Sequence, residues 1–524
     1  YDHGDYNVAT NYVKGNNSYT VFAGANYSHV DGTETWNNEN YQFPQSLFDR
    51  ESYSKNSYRN HQEYMQFRYQ NQKGKRYWVG KFTFVNLSTP RNASSGFARE
   101  STETDIFSNI RKKSLSPKID LNANLPLSKN QTLTLGVHGK YSANSYHRLY
   151  LEQPFEAMTD EDEKALWFQL SAIYNYFSQK HSLSVELFHY HDVWNADYSG
   201  NCELWQHLWK GESLAFFSYN FQASRRLSLK TRIGLDWLQY HLHGDNSFSQ
   251  LSPRINTNVQ YQLNKGMLLW SFNFVNSNHG MDVINRAMIQ VNSHMMEKGM
   301  PELKKSHDIN TYLYYMGRFN RLSVSAIGQF RYNHHPVTDD YYLDEANRKI
   351  VKTYSNGGNA QYYSAIFALQ YKLCKFANLS GDIRYNHAEV KTTWSKHNNN
   401  LTGNLGLNMF MGDFALKPYL HFGKKSLDEA ALVINKTPID YGMSCSYSRV
   451  NLYVELLAAS PFKKQEKQYW LDLPIYSYSK SIKDQTASQY ASIKVAYSFD
   501  FGRKTQKVKK DVNKNINSSL LRVE

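Results

Sequence analysis

The chain has 524 residues, of which 41% are hydrophobic and 15% aromatic, and its 60 basic residues outnumber 46 acidic ones. Its mean hydropathy is −0.67, and it lacks any apolar run of about 18 residues, which excludes a helical membrane protein. Its 41 tyrosines and 28 phenylalanines also exclude a disordered chain. Low hydropathy with many aromatic residues is typical of a transmembrane β-barrel, in which each strand has one apolar and one polar face.

The formal net charge of +14 indicates a polyanionic neighbour, either nucleic acid or a surface that carries lipopolysaccharide. The sequence shows no finger spacing, RNP-like motif or basic helix, so lipopolysaccharide is favoured over nucleic acid. Its three cysteines, Cys202, Cys374 and Cys445, are isolated and odd in number. They predict neither a disulfide framework nor a metal knuckle.

Segments that alternate between apolar and polar residues recur roughly every 25 residues, joined by connections that are by turns short and long. The strands are predicted near 5–15, 18–31, 61–73, 76–88, 114–127, 131–145, 164–178, 182–193, 205–223, 226–241, 253–263, 266–277, 307–318, 321–334, 360–374, 377–392, 401–411, 413–423, 436–448, 450–460 and 487–501. This pattern predicts an all-β fold, an antiparallel transmembrane barrel with about 21 strands in this chain.

The alternation also predicts which side chains face lipid and which face the lumen. Met65 and Phe67 oppose Gln66, and Ile119 opposes Lys118, so the polar members are expected inside. The predicted lumen carries both signs of charge, as a packed plug would require. These lumen residues are Arg68, Lys118, Asp120, Lys140, Lys230, Arg232, Asp236, Lys494 and Asp500.

The connections predict the orientation, because short turns of outer-membrane barrels face the periplasm and long loops face outside. The short connections carry turn residues, as in Lys73-Gly74-Lys75 and Met411-Gly412-Asp413. Long loops are predicted at 32–60, 89–113, 278–306, 335–359 and 461–486. The segment 470–480 is assigned to the last of these loops, as an extension above the membrane.

The first and last predicted strands both descend toward the periplasm, which requires an odd number of strands. Because single-chain bacterial barrels have even numbers, we expect one further strand before Tyr1 and a complete barrel of about 22. The barrel is predicted to span residues 1–502. Residues 503–524, rich in lysine, are predicted to form a basic periplasmic tail.

Three segments resemble the TonB-dependent receptor superfamily, in its outer-membrane β-barrel branch. Residues 4–29 resemble that branch's second and third strands, and 299–319 resembles its loop ending in Asn-Pro-x-Leu-Lys-Pro-Glu, with Pro301, Leu303 and Lys304 in place. Met300, Lys305 and Ser306 depart from that pattern. The end of the chain is similar to the branch's last strand and basic tail. Its assembly signal is approximated by Lys494, Ala496, Phe499 and Phe501.

This resemblance implies uptake of a scarce ligand across a Gram-negative outer membrane. It implies a plug domain, upstream or in another chain, and an inner-membrane energy transducer as partner. An alternative is a non-transporting scaffold or accessory subunit of an outer-membrane assembly, secretion or surface-lipoprotein complex. A hydrolase carried on the loops is a third hypothesis, although the sequence predicts no enzyme and no cofactor.

Three short motifs contain groups that could bind a metal ion or act in catalysis. They are His189 with His191, the loop containing His334, His335, Asp339 and Asp340, and the cluster of His294, Met295, Met296 and Met300. None has a full ligand set at fixed spacing, so an aromatic belt, a solvated loop and a packed apolar loop are the favoured interpretations.

Ligand or partner contacts are expected from aromatic residues of the long loops, because exposed rings stack on flat ligand faces. The candidates are Trp36, Tyr41, Phe43, Trp194, Tyr198, Tyr341, Tyr342 and Trp470.

Overall fold

The computed structural model describes residues 2–44, 46–245, 247–277, 279–462, 465–483, 489–497 and 512–516. Its elements are β1 Asp2–Lys14, β2 Asn17–Phe43, β3 Ser46–Lys73, β4 Arg76–Arg99, β5 Glu103–Ser128, β6 Gln131–Glu152, β7 Phe155–Phe177, β8 His181–Gly200, β9 Leu204–Gln222, β10 Leu227–Leu242, β11 Ser247–Leu263, β12 Gly266–Ser277, α1 Met281–Ile284, β13 Met288–Gln290, β14 Met295–Lys298, β15 Ser306–Phe319, β16 Leu322–His334, β17 Thr338–Asp344, β18 Lys349–Ser355, β19 Asn359–Cys374, β20 Ala377–Lys391, β21 Ser395–Met411, β22 Phe414–His421, β23 Lys424–Asp428, β24 Val433–Thr437, β25 Asp440–Arg449, β26 Leu452–Ala459, β27 Lys467–Asp472, β28 Tyr476–Lys483 and β29 Tyr490–Tyr497.

The wall of the barrel is one antiparallel sheet in which each strand pairs with the next wall strand along the chain. It consists of β1 to β12, β15, β16, β19 to β22, β25, β26 and β29. The predicted antiparallel barrel, with about 21 strands in this chain, is confirmed. Among the described residues, no helix is long and apolar enough to cross a membrane.

The two faces of the wall follow the predicted alternation. On β3, Met65 and Phe67 are 53% and 44% exposed on the lipid side, whereas Gln66 between them is 2% exposed. On β5, Ile119 is exposed and Lys118 is buried. Because the side-chain period of a strand is two, every apolar residue on the lipid side places its neighbours in the lumen.

The wall is much taller on one side than on the other, which corrects two predicted loops. The strands β2 and β3 have 27 and 28 residues, whereas β22 and β26 have 8 each. Predicted loops 32–60 and 89–113 were wrong, because β2 and β3 pair up to Phe43↔Ser46 and β4 and β5 pair up to Arg99↔Glu103. Above the membrane the outer face no longer requires apolar residues, so the apolar–polar alternation of the sequence weakens although the ladder continues.

The rim of the wall forms a collar, which we define as the upper parts of β2 to β9 with β23, β24, β27 and β28. Here β28 pairs with β2, from Glu34↔Lys483 to Tyr41↔Tyr476. The strand β27 joins β28 to β24. Residues 470–480 therefore lie in a hairpin of the collar, and the described residues contain no pairing between β1 and β29.

The carboxyl-terminal predictions fall partly outside the described residues. Lys494 and Ala496 lie on β29, opposite Glu455 and Tyr453. Phe499, Asp500 and Phe501 lie outside the described residues, as does most of the predicted tail. Residues 512–516 of that tail are described.

Candidate functional site at the extracellular mouth

Two loops fold together inside the mouth of the barrel, and we call this unit the lid. It comprises residues 279–305, with α1, β13 and β14, and residues 336–358, with β17 and β18. The strands form a four-stranded sheet in the order β13-β14-β18-β17, in which β14 and β18 are parallel. Both predicted long loops at 278–306 and 335–359 are therefore parts of one folded unit.

The lid contacts the inner wall through two buried clusters on different sectors. The first, the helix-side cluster, contains Ala165, Trp194, Ala196, Tyr198, Leu208 and Leu242 of the wall with Met281, Ile284, Ala287, Ile289 and Leu303 of the lid. The second, the tyrosine cluster, contains Tyr41, Ala360, Ala388, Val390, Leu427, Leu432, Val433, Leu471, Leu473 and Tyr476 with Met295, Tyr341 and Ile350 of the lid. Because these sectors include β2, β7 to β10, β19 and β20, the lid crosses the mouth.

A buried ion-pair network fixes the lid at the helix-side cluster. Lys305 Nζ lies 2.9 Å from Asp236 Oδ2, and both side chains are 0% exposed. The same carboxylate accepts bonds of 2.8 and 2.6 Å from Nε and Nη2 of Arg254, which also pairs with Glu212 at 3.1 Å. Removing one partner of such a pair strands a buried charge, so the network holds the end of the lid firmly.

Backbone contacts around Pro301 complete this attachment. The Tyr240 hydroxyl lies 3.4 Å from the carbonyl oxygens of Pro301 and Leu303. His279 Nε2 lies 2.9 Å from the carbonyl oxygen of Lys304. A Cβ at Gly299 would lie 2.3 Å from the carbonyl oxygen of Asn285, so only glycine allows this close approach.

At the tyrosine cluster, aromatic rings surround a buried carboxylate. The ring centres of Tyr41 and Tyr341 lie 5.1 and 5.6 Å from that of Tyr476. Glu39 accepts hydrogen bonds from the Tyr41 and Tyr476 hydroxyls, at 2.9 and 2.7 Å. Its second oxygen lies 2.7 Å from Arg50, whose side chain is 4% exposed.

The lid reaches this network through polar groups of one short turn. Ser293 Oγ donates to Glu152, at 3.2 Å, and Glu152 also pairs with Arg50 at 2.9 Å. His294 Nε2 lies 2.7 Å from Glu100, and Asn292 Nδ2 lies 3.4 Å from the Tyr41 hydroxyl. These contacts consist mainly of hydroxyl, amide and carboxylate groups, all of which water can solvate.

The lid also has an internal ion pair. Lys352 Nζ lies 3.3 Å from Asp339 and 3.5 Å from Glu297. Burial opposes the charge of Lys352, but Asp339 and Glu297 together raise its pKa above the usual value. Burial also raises the pKa of Asp339, against the opposing effect of Lys352. The ammonium therefore stays charged at neutral pH and ties β14, β17 and β18 together.

The structure brings five of the eight candidate aromatic residues into the two clusters. Tyr41 and Tyr341 belong to the tyrosine cluster with Phe43 packed against it, and Trp194 and Tyr198 belong to the helix-side cluster. The other three lie apart. Trp36 and Tyr342 are 36% and 41% exposed, and Trp470 lines an outer groove of about 930 Å³.

Sequence reasoning missed the charged residues that attach the lid. Asp236 was predicted to face the lumen, but its partner Lys305 is far away in sequence and was singled out only as a departure from the loop pattern. The sequence pattern did not point to Arg50, Glu39 and Glu152 as site residues, because they lie above the membrane, where the apolar–polar alternation weakens. Only the topology brings them together.

In the structure the three candidate metal-binding motifs make other contacts. His189 Nδ1 lies 3.0 Å from Ser213 Oγ, and His294 pairs with Glu100. Asp340 accepts from the Trp394 indole at 2.8 Å. Within the described ranges, no group of three or more His, Cys, Asp or Glu side chains could hold a metal ion.

Solved structures resemble this chain over most of its length. The copper transporter OprC is 10% identical, with a TM-score of 0.54, over 89% of this chain and 85% of that one. The siderophore receptor PirA from Pseudomonas aeruginosa is 11% identical, with a TM-score of 0.52, over 86% of this chain and 80% of that one. The ferric enterobactin receptor PfeA from the same organism is 10% identical, with a TM-score of 0.50, over 87% and 81%.

No protein-family model and no curated protein matches this sequence. At these identities the solved structures establish the fold. The predicted resemblance is confirmed at that level, together with the barrel class and the strand number. The chain has the β-barrel fold of the TonB-dependent receptors.

Proposed function

We propose that this chain is a receptor-like barrel of a Gram-negative outer membrane that admits a ligand when its lid opens. The observation that carries the proposal is the lid itself, a folded sheet that crosses the mouth and contacts the inner wall on several sectors. The barrel fold supports it, since the similar solved structures include a copper transporter and siderophore receptors. A closed mouth needs a moving element if anything is to enter.

The two attachments suggest how the lid moves. The helix-side cluster holds the ion pair of Lys305 with Asp236, in which both side chains are fully buried, so opening there would break a buried pair. At the tyrosine cluster the separating groups are hydroxyls, amides, carboxylates and the partly exposed imidazole of His294, all of which water can solvate. The lid therefore opens at the tyrosine cluster and stays attached at the helix-side cluster.

Opening at this side would uncover aromatic rings for a ligand. Tyr41, Phe43 and Tyr341 would then line the entrance and could stack on a flat ligand face. A ligand shifts the equilibrium only by binding the open form more tightly than the closed form. A ligand that binds there must fit these rings and complement the charges of Arg50 and Glu39 beside them.

By the family resemblance, transport also needs a plug domain, upstream or in trans, and an inner-membrane energy transducer. Outer-membrane lipid with lipopolysaccharide and a surface lipoprotein are further proposed partners. We assign the chain no enzymatic step and no cofactor.

The test is to lock the lid at the tyrosine cluster. A short, reductant-cleavable bis-thiosulfonate crosslinker between Ser293→Cys and Glu152→Cys, whose native side-chain oxygens lie 3.2 Å apart, would hold the lid shut in a background free of the native cysteines. We expect cells to lose growth in one medium limited for iron, copper or a glycan, and to regain it with reductant. Loss of the energy transducer should reproduce the defect.

Each single-cysteine variant is the control, because it carries one substitution of the pair without the lock. Equal growth with and without the covalent link in every medium would contradict the proposal. Several stoichiometric subunits in native mass spectrometry of the extracted complex would then support an accessory subunit of a larger assembly.

A further inference from the structure

Three neighbouring strands present a row of buried polar side chains to the lumen. Gln66 of β3, Thr83 of β4 and Lys118 of β5 are aligned by the registers of the two strand pairs. Their exposed fractions are 2%, 1% and 6%. Phe67 and Ile119, next to them on the strands, are exposed on the lipid side, so the row lies inside the barrel at the depth of the membrane.

Within the row Gln66 donates to Thr83, whereas Lys118, together with Gln62 of β3, binds the backbone of the chain's own tail. Lys118 Nζ donates to the carbonyl oxygen of Asn513 at 3.0 Å and also to that of Asn515. Gln62 Nε2 donates to the carbonyl oxygen of Lys514 at 3.3 Å. Three consecutive carbonyl groups are thus satisfied by two side chains, and a buried ammonium is satisfied in return.

Side chains of the segment add to the contact. Lys514 Nζ lies 4.2 Å from the centre of the Tyr64 ring, and Tyr64 is 4% exposed. A cation in this position is attracted by the face of the ring. Val512, Lys514 and Ile516 are half-buried, whereas the side chains of Asn513 and Asn515 are exposed. The segment therefore lies along the wall with one side against it.

The chain is long enough to reach this position. Tyr497 pairs with Leu452, close to the turn at 450–451 on the periplasmic side. Val512 lies fifteen residues after Tyr497, and an extended chain of that length spans up to about 50 Å. Tyr64 lies ten residues before the turn at Gly74, which places it about 30 Å above that turn along β3. The span of the chain therefore exceeds the height that it must cover.

We propose that residues 512–516 are a ligand of the barrel's own lumen, held at a peptide-binding site formed by Gln62, Tyr64 and Lys118. A plug or ligand passing this sector of the wall must displace the segment. The inference requires the barrel and its lumen, and it holds whether or not the lid admits a ligand.

The experiment places a photo-crosslinking amino acid at Ile516, whose side chain is half-buried on the side that faces the wall and makes none of these contacts, in the full chain in outer-membrane vesicles. We expect crosslinks to the inner face of β3, β4 and β5, located by mass spectrometry of the digested protein. The variant Lys118→Met should lower their yield by about tenfold, since it removes the two hydrogen bonds that the Lys118 ammonium donates to the tail. The control Lys230→Met, on β10, should leave the yield unchanged.

Folding of each variant is checked by comparing the gel migration of heated and unheated samples, because an intact barrel migrates differently from the unfolded chain. Crosslinks confined to lipid or periplasmic proteins would overturn the proposal. Crosslinks to β3, β4 and β5 that Lys118→Met does not reduce would overturn the assigned site. Neither readout involves the energy transducer or growth, so the inference and the proposed function fail separately.

Discussion

The two attachments of the lid differ in what they bury. At the helix-side cluster the lid meets one continuous stretch of wall, β7 to β10, and closes on the pair of Lys305 and Asp236 with both side chains at 0% exposure. At the tyrosine cluster it meets wall strands from distant parts of the chain, together with the hairpins β23–β24 and β27–β28. One attachment is a single surface, and the other is a junction of several separate elements.

This difference shows that burial alone does not decide at which attachment the lid can open. Both clusters are well buried, but separating the first breaks the buried ion pair of Lys305 with Asp236, whereas separating the second parts polar groups that water can solvate. The following predictions test the difference, from the largest expected effect to the smallest.

The substitution Asp236→Ala should have the largest effect. It leaves Lys305 and Arg254 without their shared carboxylate, and losing one partner of a buried pair costs about 3–5 kcal/mol. Limited proteolysis should then cut residues 279–305 much faster than in the unmodified barrel. Asp382→Ala, which removes an inward carboxylate that accepts a hydrogen bond from Asn404, is the matched control, and equal protease sensitivity in both variants would contradict the prediction.

The substitution Leu303→Ala should loosen the helix-side cluster without affecting the tyrosine cluster. Leu303 is 3% exposed, and a buried leucine truncated to alanine costs about 3 kcal/mol through lost contacts and the cavity left behind. Hydrogen exchange should rise in residues 281–305 and stay unchanged in 338–344. A rise of the same size in both segments would show that the two attachments act as one.

The substitution Tyr476→Phe should weaken only the tyrosine cluster. It removes the hydroxyl that donates to Glu39 at 2.7 Å and keeps the ring, a loss of about 1 kcal/mol. A cysteine-reactive dye should label Ile350→Cys faster in this background. Tyr478→Phe is the control, and faster labelling there too would weaken the assignment of the opening side to Glu39.

Acid should have the smallest effect, at the helix-side cluster. Burial lowers the pKa of His279, with a further lowering by Lys210 and opposing effects of the Lys304 backbone and Asp282. The folded lid then binds this proton less readily than the unfolded lid, so its stability is full above about pH 6.5 and falls as the pH drops below that value. Proteolysis of residues 279–305 should therefore rise between pH 7 and pH 5.

His279→Gln keeps an N–H donor for the Lys304 carbonyl group and removes the titration, so this variant should lose the pH dependence. A pH dependence of the same size in this variant would assign the effect to another group.

The parts of the fold that depend on the membrane could be predicted from the sequence. A lipid face requires apolar residues at every second position, which is why Phe67 and Ile119 marked their strands and the number of wall strands was predicted correctly. The collar and the lid are surrounded by water or by each other, so no such period is imposed on them. The ladder above Asp31 and the pairing of Lys305 with Asp236 therefore had no local signature.

Buried and exposed side chains alternate along the strands of the collar, and this affects how the sequence can vary among strains. On β7, Glu161 and Glu163 are each 1% exposed and face inward, whereas Asp162 and Lys164 are exposed on the outer surface. Molecules outside the barrel can contact only the outer set, whereas the packing of the mouth constrains only the inner set. Along such a strand, substitution rates should therefore alternate with a period of two residues, high at the outer positions and low at the inner ones.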